Sequence, residues 1–388
     1  MKEKFPLKRF ESLETPFYYY DLKLLKQTLS VIDSETKNHN YHVHYAIKAN
    51  ADKQVLHAIQ KAGLGVDCVS GGEIKAALEA GFPASKIVYA GVGKADWEIT
   101  LALEVGIGSF NVESLAELKI ISEIATKLNK TASVALRINP EIDAHTHHYI
   151  TTGLKENKFG ISLEHLEGVI DAMQELSGVK LVGLHFHIGS QITINEPFEL
   201  LCKRINTITQ NLKAKGIELE IINVGGGLGV NYENPDGEPT ADFKGYFDVF
   251  KENLEVAERT EVHFELGRAI VCQCGSLITR VLYVKEGVDK RFAIVDAGMT
   301  ELIRPALYQA FHLIEPLTTT TPEQQAATCS YDVVGPICES SDSFGEDVQL
   351  GELKRGDMLA IRSVGAYGAS MSMSYNCRRA VESHYCCD

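Results

Sequence analysis

Several residues are of types, and at positions, that invite chemistry. Lys48 closes the run YHVHYAIK (41–48), in which strand alternation puts His42, His44, Ala46 and Lys48 on one face, expected to be a barrel interior. An ammonium placed there loses hydration, and burial favours the neutral amine that condenses with an aldehyde. A rim lysine paired with a carboxylate is the plainer alternative. The apolar strand IINV runs into Gly225, Gly226 and Gly227, which let backbone amides approach a phosphate or simply make a tight turn. FHIGSQ supplies His187, Gly189 and Ser190: an imidazole that can stack on a ring or make a structural hydrogen bond, and a hydroxyl that can bind phosphate. ELGR supplies Glu265 and Arg268, a carboxylate and a guanidinium for the same pocket or an ordinary surface ion pair. Each signal is weak alone. Jointly they are the parts of a pyridoxal-phosphate site, in which a carboxylate keeps the pyridine nitrogen protonated so that the ring accepts electrons.

Such groups need elements to hold them. Short β-branched runs ending in polar or glycine residues recur at 41–48, 65–70, 86–91, 108–113, 133–140, 181–189, 220–227 and 261–267. Between them lie segments with apolar residues at helical spacing, such as ADKQVLHAIQKAG, with Gly63 and Gly81 at the expected helix ends. Strands alternating with helices in this way predict a (β/α)8 TIM-type barrel, whose reactive groups lie at the C-terminal strand ends. An open doubly wound sheet is the competing arrangement. After about residue 268 the texture changes to strands joined by glycine and aspartate turns, among them GAYGASMSMSY, with helical periodicity only around 300–315. This predicts a second, mostly β domain of Greek-key barrel-like form. PFYYYDL (16–22) is expected to pair with it, giving domains at 25–267 and at 1–24 with 268–388. TTTTPEQQAAT (318–328) reads as a surface loop.

The 388-residue chain, 45% hydrophobic, is long enough for a large core, and its net charge of −14 argues against nucleic acid or an anionic membrane as partner. No stretch is apolar for long enough to span a bilayer, and MKEKFPLKRFESLE has no signal-peptide core, so a cytoplasmic location is expected. Nine scattered cysteines, with Cys272 and Cys274 lacking a second ligand pair, point to free thiols rather than a zinc site or a disulfide framework. Cys386 and Cys387 have no evident role.

With these residues in view, the sequence resembles the barrel-type decarboxylases related to alanine racemase and, within them, those acting on diaminopimelate. YAIKAN (45–50) is similar to the family's cofactor-lysine motif, implying a Schiff base on Lys48. GLGVDCVSGGE (63–73), with Asp67, resembles the segment that follows. HFHIGSQ implies His187 as the ring-stacking residue and Ser190 as a phosphate contact, and GGGLG implies phosphate binding at Gly225, Gly226 and Gly227. ELGR keeps Glu265 and Arg268 but has Leu266 where the family carries proline, so the turn geometry there is expected to differ.

The substrate-side motifs resemble the same branch. DAHTHHYITTGLKENKFGI (143–161) is similar to a loop that shapes the distal pocket, and DAGMTELIRPALYQAFH (296–312) implies Arg304 and Tyr308 as substrate ligands. GPICESSD (335–342) implies Cys338 as the acid that reprotonates the α-carbon and Glu339 as the ligand of the distal ammonium, both reaching the site from a partner subunit of a homodimer. GAYGASMSMSYN (365–376) implies Tyr367 as a contact to phosphate and substrate. Without the resemblance, Cys338 reads as a small buried hydrophobe and Arg304 as a surface ion pair. The implied reaction is pyridoxal-phosphate-dependent decarboxylation of meso-2,6-diaminopimelate to L-lysine. The alternatives are decarboxylation of ornithine, arginine or carboxynorspermidine, a silent cofactor-binding homologue, or a metal-dependent barrel hydrolase built on His42, His44, His185 and His187.

Overall fold

Strand β1 (Phe17–Tyr20) precedes eight parallel strands that close on themselves: β2 (Tyr41–Ala46), β3 (Gly65–Cys68), β4 (Ile87–Tyr89), β5 (Ser109–Val112), β6 (Ala132–Arg137), β7 (Val179–His185), β8 (Ile221–Asn223) and β9 (Glu261–Leu266). Each lies inside or against one of the runs read from the sequence. The ring closes where β2 pairs with β9, with His44 opposite Glu265. The computed structural model describes residues 5–142, 158–317 and 328–386. The loop expected to shape the distal pocket falls largely on 143–157, and the TTTTPEQQAAT segment on 318–327; both lie outside the described residues.

The helices between barrel strands begin where polar side chains satisfy their first amides. Asp52 accepts from the N–H groups of Gln54 and Val55 at 2.9 and 3.2 Å, and the helix Lys53–Lys61 follows. Ser70 and Ser114 accept from the N–H groups of Glu73 and Glu117, and those glutamates reach back to the N–H groups of Val69 and Glu113. This is a capping box displaced one residue outward, and it fixes the chain just beyond the ends of β3 and β5. Gly63 and Gly81 follow two helix ends with φ of +83° and +90°, a conformation glycine adopts without a Cβ clash.

The remaining strands form a separate sheet: β10 (Gly275–Glu286), β11 (Arg291–Val295), β12 (Ile314–Pro316), β13 (Thr328–Val334), β14 (Ser343–Gly351), β15 (Met358–Ile361) and β16 (Ser383–Tyr385), with β1 pairing both β10 and β16. The order along its main path is β12-β15-β10-β11-β13-β14. Two sequence expectations need correction here. GAYGASMSMSY is not a strand but forms two 3-10 turns, Ala369–Met371 and Tyr375–Cys377. The helical periodicity around 300–315 yields only the five-residue helix Arg304–Tyr308, stopped by Gln309 in the left-handed region. The segment Ser383–Tyr385, which carried no motif, is a parallel partner of β1.

The chain forms two compact units: Thr28–Gly229 with Ala241–Ile270, containing the barrel, and Met1–Gln27 with Val230–Thr240 and Val271–Asp388, containing the second sheet. Residues 230–240, inside the range expected for the barrel, belong to the second unit. No helix among the described residues is long and apolar enough to cross a membrane.

Candidate active site

In the barrel unit, Lys48 does not sit where alternation placed it. The strand β2 stops at Ala46, and Ile47–Ala49 form a 3-10 turn that leaves Lys48 exposed between buried neighbours. The interior face is instead carried by His44, whose Nε2 lies 3.0 Å from Nδ1 of His263, while His42 is exposed beside Asn40. The strand end thus delivers the lysine to the rim, where its charge acts on Asp67, Glu73 and His187.

Beneath it lies a carboxylate held by three donors. The buried Glu265, on β9, accepts hydrogen bonds from Asn111 Nδ2 at 2.8 Å, Asn223 Nδ2 at 2.7 Å and His185 Nε2 at 2.9 Å. Burial alone would raise its pKa. The charge and hydrogen bond of His185, with His187 and Asn223, outweigh that and hold it well below the usual carboxylate range. Asp67, on β3, goes the other way: burial, then the charge of Glu265, push it well above its ordinary value, and Lys48 offsets only part. The pKa values of two buried carboxyls are therefore driven apart, that of Glu265 downward and that of Asp67 upward.

The glycine triplet passes between two strand ends with no room for a side chain. A Cβ at Gly226 would lie 1.9 Å from the Glu265 carbonyl oxygen, and one at Gly225 2.2 Å from that of Phe186. Gly225 and Gly227 also take φ of +73° and +110°. The Gly226 N–H donates to His187 Nδ1 at 3.3 Å, so that nitrogen carries no proton. Burial, then the charges of Arg137 and Lys48, keep the half-buried His187 neutral. Ser190 Oγ accepts from Arg268 Nη2 at 3.1 Å, and Arg268 starts the short turn that follows β9. Leu266, in the position where a proline was expected, is buried in the last residue of β9.

Sequence reasoning missed Asn111 and Asn223, which orient Glu265, and named His185, which does the same, only as a ligand in the metal-hydrolase alternative. It also missed Arg137, whose guanidinium pairs with Glu113 at 2.7 Å and lies 4.6 Å from the Phe159 ring centre. Each is a polar residue inside an otherwise apolar strand run (SFNV, LVGLH, IIN, VALR), and that was the available signal.

The sheet unit holds the remaining candidates. Arg304 is buried rather than a surface ion pair: its Nη1 donates to Tyr232 Oη at 2.8 Å and to His312 Nε2 at 2.9 Å. Its guanidinium lies 4.9 Å from the Tyr232 ring centre, and no carboxylate pairs with it among the described residues. Tyr308 ends the same helix, half-buried, and Tyr367 is half-buried with φ of +59°. Cys338 and Glu339 are exposed on the turn 335–342, contrary to the reading of Cys338 as a buried hydrophobe. Asp342 pins that turn by accepting from the N–H groups of Ile337 and Met299 at 2.7 and 2.6 Å. Every cysteine among the described residues is a free thiol.

These observations fit pyridoxal phosphate. Its phosphate would meet the glycine cradle, Ser190 and Arg268, and its ring nitrogen the ionised Glu265; Asp67 Oδ1 is buried with no hydrogen-bond partner among the described residues. The comparisons bear on the same point. Residues 23–272 match the family model "Pyridoxal-dependent decarboxylase, pyridoxal binding domain". The chain is 57% identical to a diaminopimelate decarboxylase of Bacteroides thetaiotaomicron, over 97% of each chain, and 42% identical to one of Haemophilus influenzae, over 95% and 87%. It superposes on a crystal structure of the Helicobacter pylori diaminopimelate decarboxylase complexed with L-lysine with a TM-score of 0.92 and 42% identity, covering 98% and 94%. The barrel and its site thus define a pyridoxal-phosphate-dependent amino-acid decarboxylase, a carbon–carbon lyase. The chain belongs to the diaminopimelate decarboxylase family.

Proposed function

We propose that the chain converts meso-2,6-diaminopimelate to L-lysine and CO2, the step that ends bacterial lysine synthesis. The observation that carries this reading is a lysine at the end of the first barrel strand in the same unit as a buried, ionised Glu265. When bound, pyridoxal phosphate supplies a ring that accepts the electron pair released as CO2 departs. The protein does the rest. Lys48 would hold the cofactor through its aldehyde. Glu265, fixed by Asn111, Asn223 and His185, would keep a proton on the ring nitrogen. His187, neutral, would pack against the ring, and Gly225, Gly226, Gly227, Ser190 and Arg268 would bind the phosphate.

Substrate selection falls to the second unit. Arg304 and Tyr308 bind the distal carboxylate, Glu339 binds the distal ammonium, and Tyr367 contacts phosphate and substrate. Holding the far end would fix the orientation of the carboxylate that leaves. The Cys338 thiol would give the α-carbon a proton in place of the departing CO2, the pair from the broken bond making the new C–H bond, and the thiolate would regain a proton from solvent. Ornithine and arginine lack the distal amino-acid centre that Arg304 would grip.

The chain would act as a cytoplasmic homodimer, each protomer lending Cys338 and Glu339 to its partner's barrel; their exposure on the isolated chain supports this. Borohydride reduction of the purified holoenzyme should fix the cofactor to Lys48, and Lys48→Ala should abolish CO2 release. An order-of-magnitude preference for ornithine or arginine over meso-diaminopimelate refutes the substrate. Mixing inactive Lys48→Ala and Cys338→Ala proteins should restore about a quarter of the wild-type rate on random re-pairing of subunits. No recovery would refute the shared site.

A further inference from the structure

The turn bearing Cys338 and Glu339 is gripped from outside by a segment with no role in the account so far. Asn376 Oδ1 accepts from the Cys338 N–H at 3.1 Å, and the Tyr375 hydroxyl donates to Glu339 Oε1 at 2.9 Å. All four residues are exposed. A hydrogen bond there competes with water and adds little to the stability of the fold. Yet the backbone is strained to make the pair: Asn376 and Cys377, neither a glycine, take φ of +56° and +55° in succession. Asparagine enters this region at modest cost, cysteine at a greater one. Strain on an exposed segment is not repaid by burial, and residues in such conformations gather where geometry serves a site. What this segment gains is a hold on one peptide N–H and one carboxylate, belonging to the two residues given the proton and the distal ammonium.

We propose that Tyr375 and Asn376 are positioning residues, Tyr375 fixing the Glu339 carboxylate that receives the substrate's distal ammonium and Asn376 fixing the backbone from which the Cys338 thiol is presented. The proposal rests on the roles given to Glu339 and Cys338 above. A glutamate free to turn about its side-chain torsions must be ordered on each binding event. One already held at Oε1 offers Oε2 to the ammonium without that loss. The hydrogen bond to Glu339, then its charge, raise the pKa of the Tyr375 hydroxyl, so it remains a donor through the neutral range. The two contacts fall on different parts of catalysis. Tyr375 acts on binding, Asn376 on proton delivery.

The test uses the full-length holoenzyme. Tyr375→Phe should raise KM for meso-diaminopimelate and the calorimetric Kd for L-lysine about tenfold, leaving kcat within about twofold. In a Glu339→Gln background the same change should add less than about twofold, because its partner is already altered. Asn376→Gly removes the acceptor while tolerating the positive φ, and should lower kcat about tenfold with lysine affinity unchanged. Asn376→Asp keeps an oxygen in place and should restore kcat. Unchanged KM and lysine affinity in Tyr375→Phe, additivity with Glu339→Gln, or wild-type kcat in Asn376→Gly overturns the proposal. So does a uniform fall of kcat, affinity and melting temperature, which marks a merely structural strap. Wild-type protein inactive on meso-diaminopimelate would instead overturn the assigned reaction, and the lysine affinities would still decide the role of Tyr375.

Discussion

Replacing Glu265 with glutamine should separate folding from chemistry. The carboxylate accepts from Asn111 and Asn223 on Oε1 and from His185 on Oε2. A glutamine fits that space with its oxygen toward the two asparagine donors and its NH2 toward His185. With a proton on Nδ1, which is buried with no partner among the described residues, and none on Nε2, the imidazole can accept from the new amide. No donor is forced against a donor. The cost is the difference between charge-assisted and neutral hydrogen bonds, roughly 1 kcal/mol in total, which shifts the melting temperature of a 388-residue chain by only about 1–2 °C. The chemical cost is larger. An amide cannot keep the ring nitrogen protonated, and loss of one preorganised electrostatic partner costs about 2.7–4 kcal/mol, or 10²–10³ in kcat. Thermal unfolding of the cofactor-free protein and steady-state decarboxylation of the holoenzyme measure the two effects separately. A kcat within about threefold of wild type in a folded Glu265→Gln protein would refute the assignment of Glu265 to the ring nitrogen. A collapse in stability would refute the tautomer argument.

Other consequences are as specific. Gly226→Ala would put a methyl 1.9 Å from a carbonyl oxygen and should cost more than about 3 kcal/mol of stability or prevent folding, whereas Gly72→Ala, with only Ser70 Oγ at 3.6 Å, should be neutral or stabilising by up to about 1 kcal/mol in chemical denaturation. Burial and neighbouring positive charge lower the pKa values of His44 to about 3 and of His263 to about 4, and that of His187 well below normal. At these three sites the unfolded chain therefore binds more protons than the folded one below about pH 6.5, and their contribution to stability should fall as pH drops from there toward 5, opposed by the raised pKa of Asp67; NMR titration showing these imidazoles charging near pH 6.5 in the native protein would refute the reasoning. Arg304→Lys replaces a planar fork with a point charge and should raise KM for meso-diaminopimelate at least about tenfold, with little change in kcat.

The barrel was legible because each strand announces itself twice, by a β-branched run and by the polar or glycine residue that ends it. The rim groups His187, Gly225–Gly227, Glu265 and Arg268 followed from the rule that strand ends carry chemistry, whereas Asp67 came only with the family resemblance. The orientation of Lys48 did not follow, because alternation was extended two residues past the point where β2 gives way to a 3-10 turn. The support of Glu265 was also invisible. Asn111, His185 and Asn223 lie far apart in sequence, and only barrel closure turns them toward one carboxylate. In the second unit, short strands were found by their turns, but GAYGASMSMSY has strand-like composition and no strand partner, so its backbone folds into turns instead. The burial of Arg304 depends on Tyr232, in a segment that composition assigned to the barrel.

Strand β1 lies between β10 and β16, so the hydrogen-bonding edges of Phe17–Tyr20 are covered by residues 275–278 on one side and 382–386 on the other. During synthesis the ribosome releases this aromatic ribbon long before either neighbour exists. The barrel, whose strands pair in sequence order apart from the closing contact, can assemble meanwhile, leaving FYYY waiting. A sticky, unpaired early strand is a natural client for a chaperone. Shortening the tail before Ser383 would leave one of its edges bare for good, a template for aggregation rather than a gentle truncation.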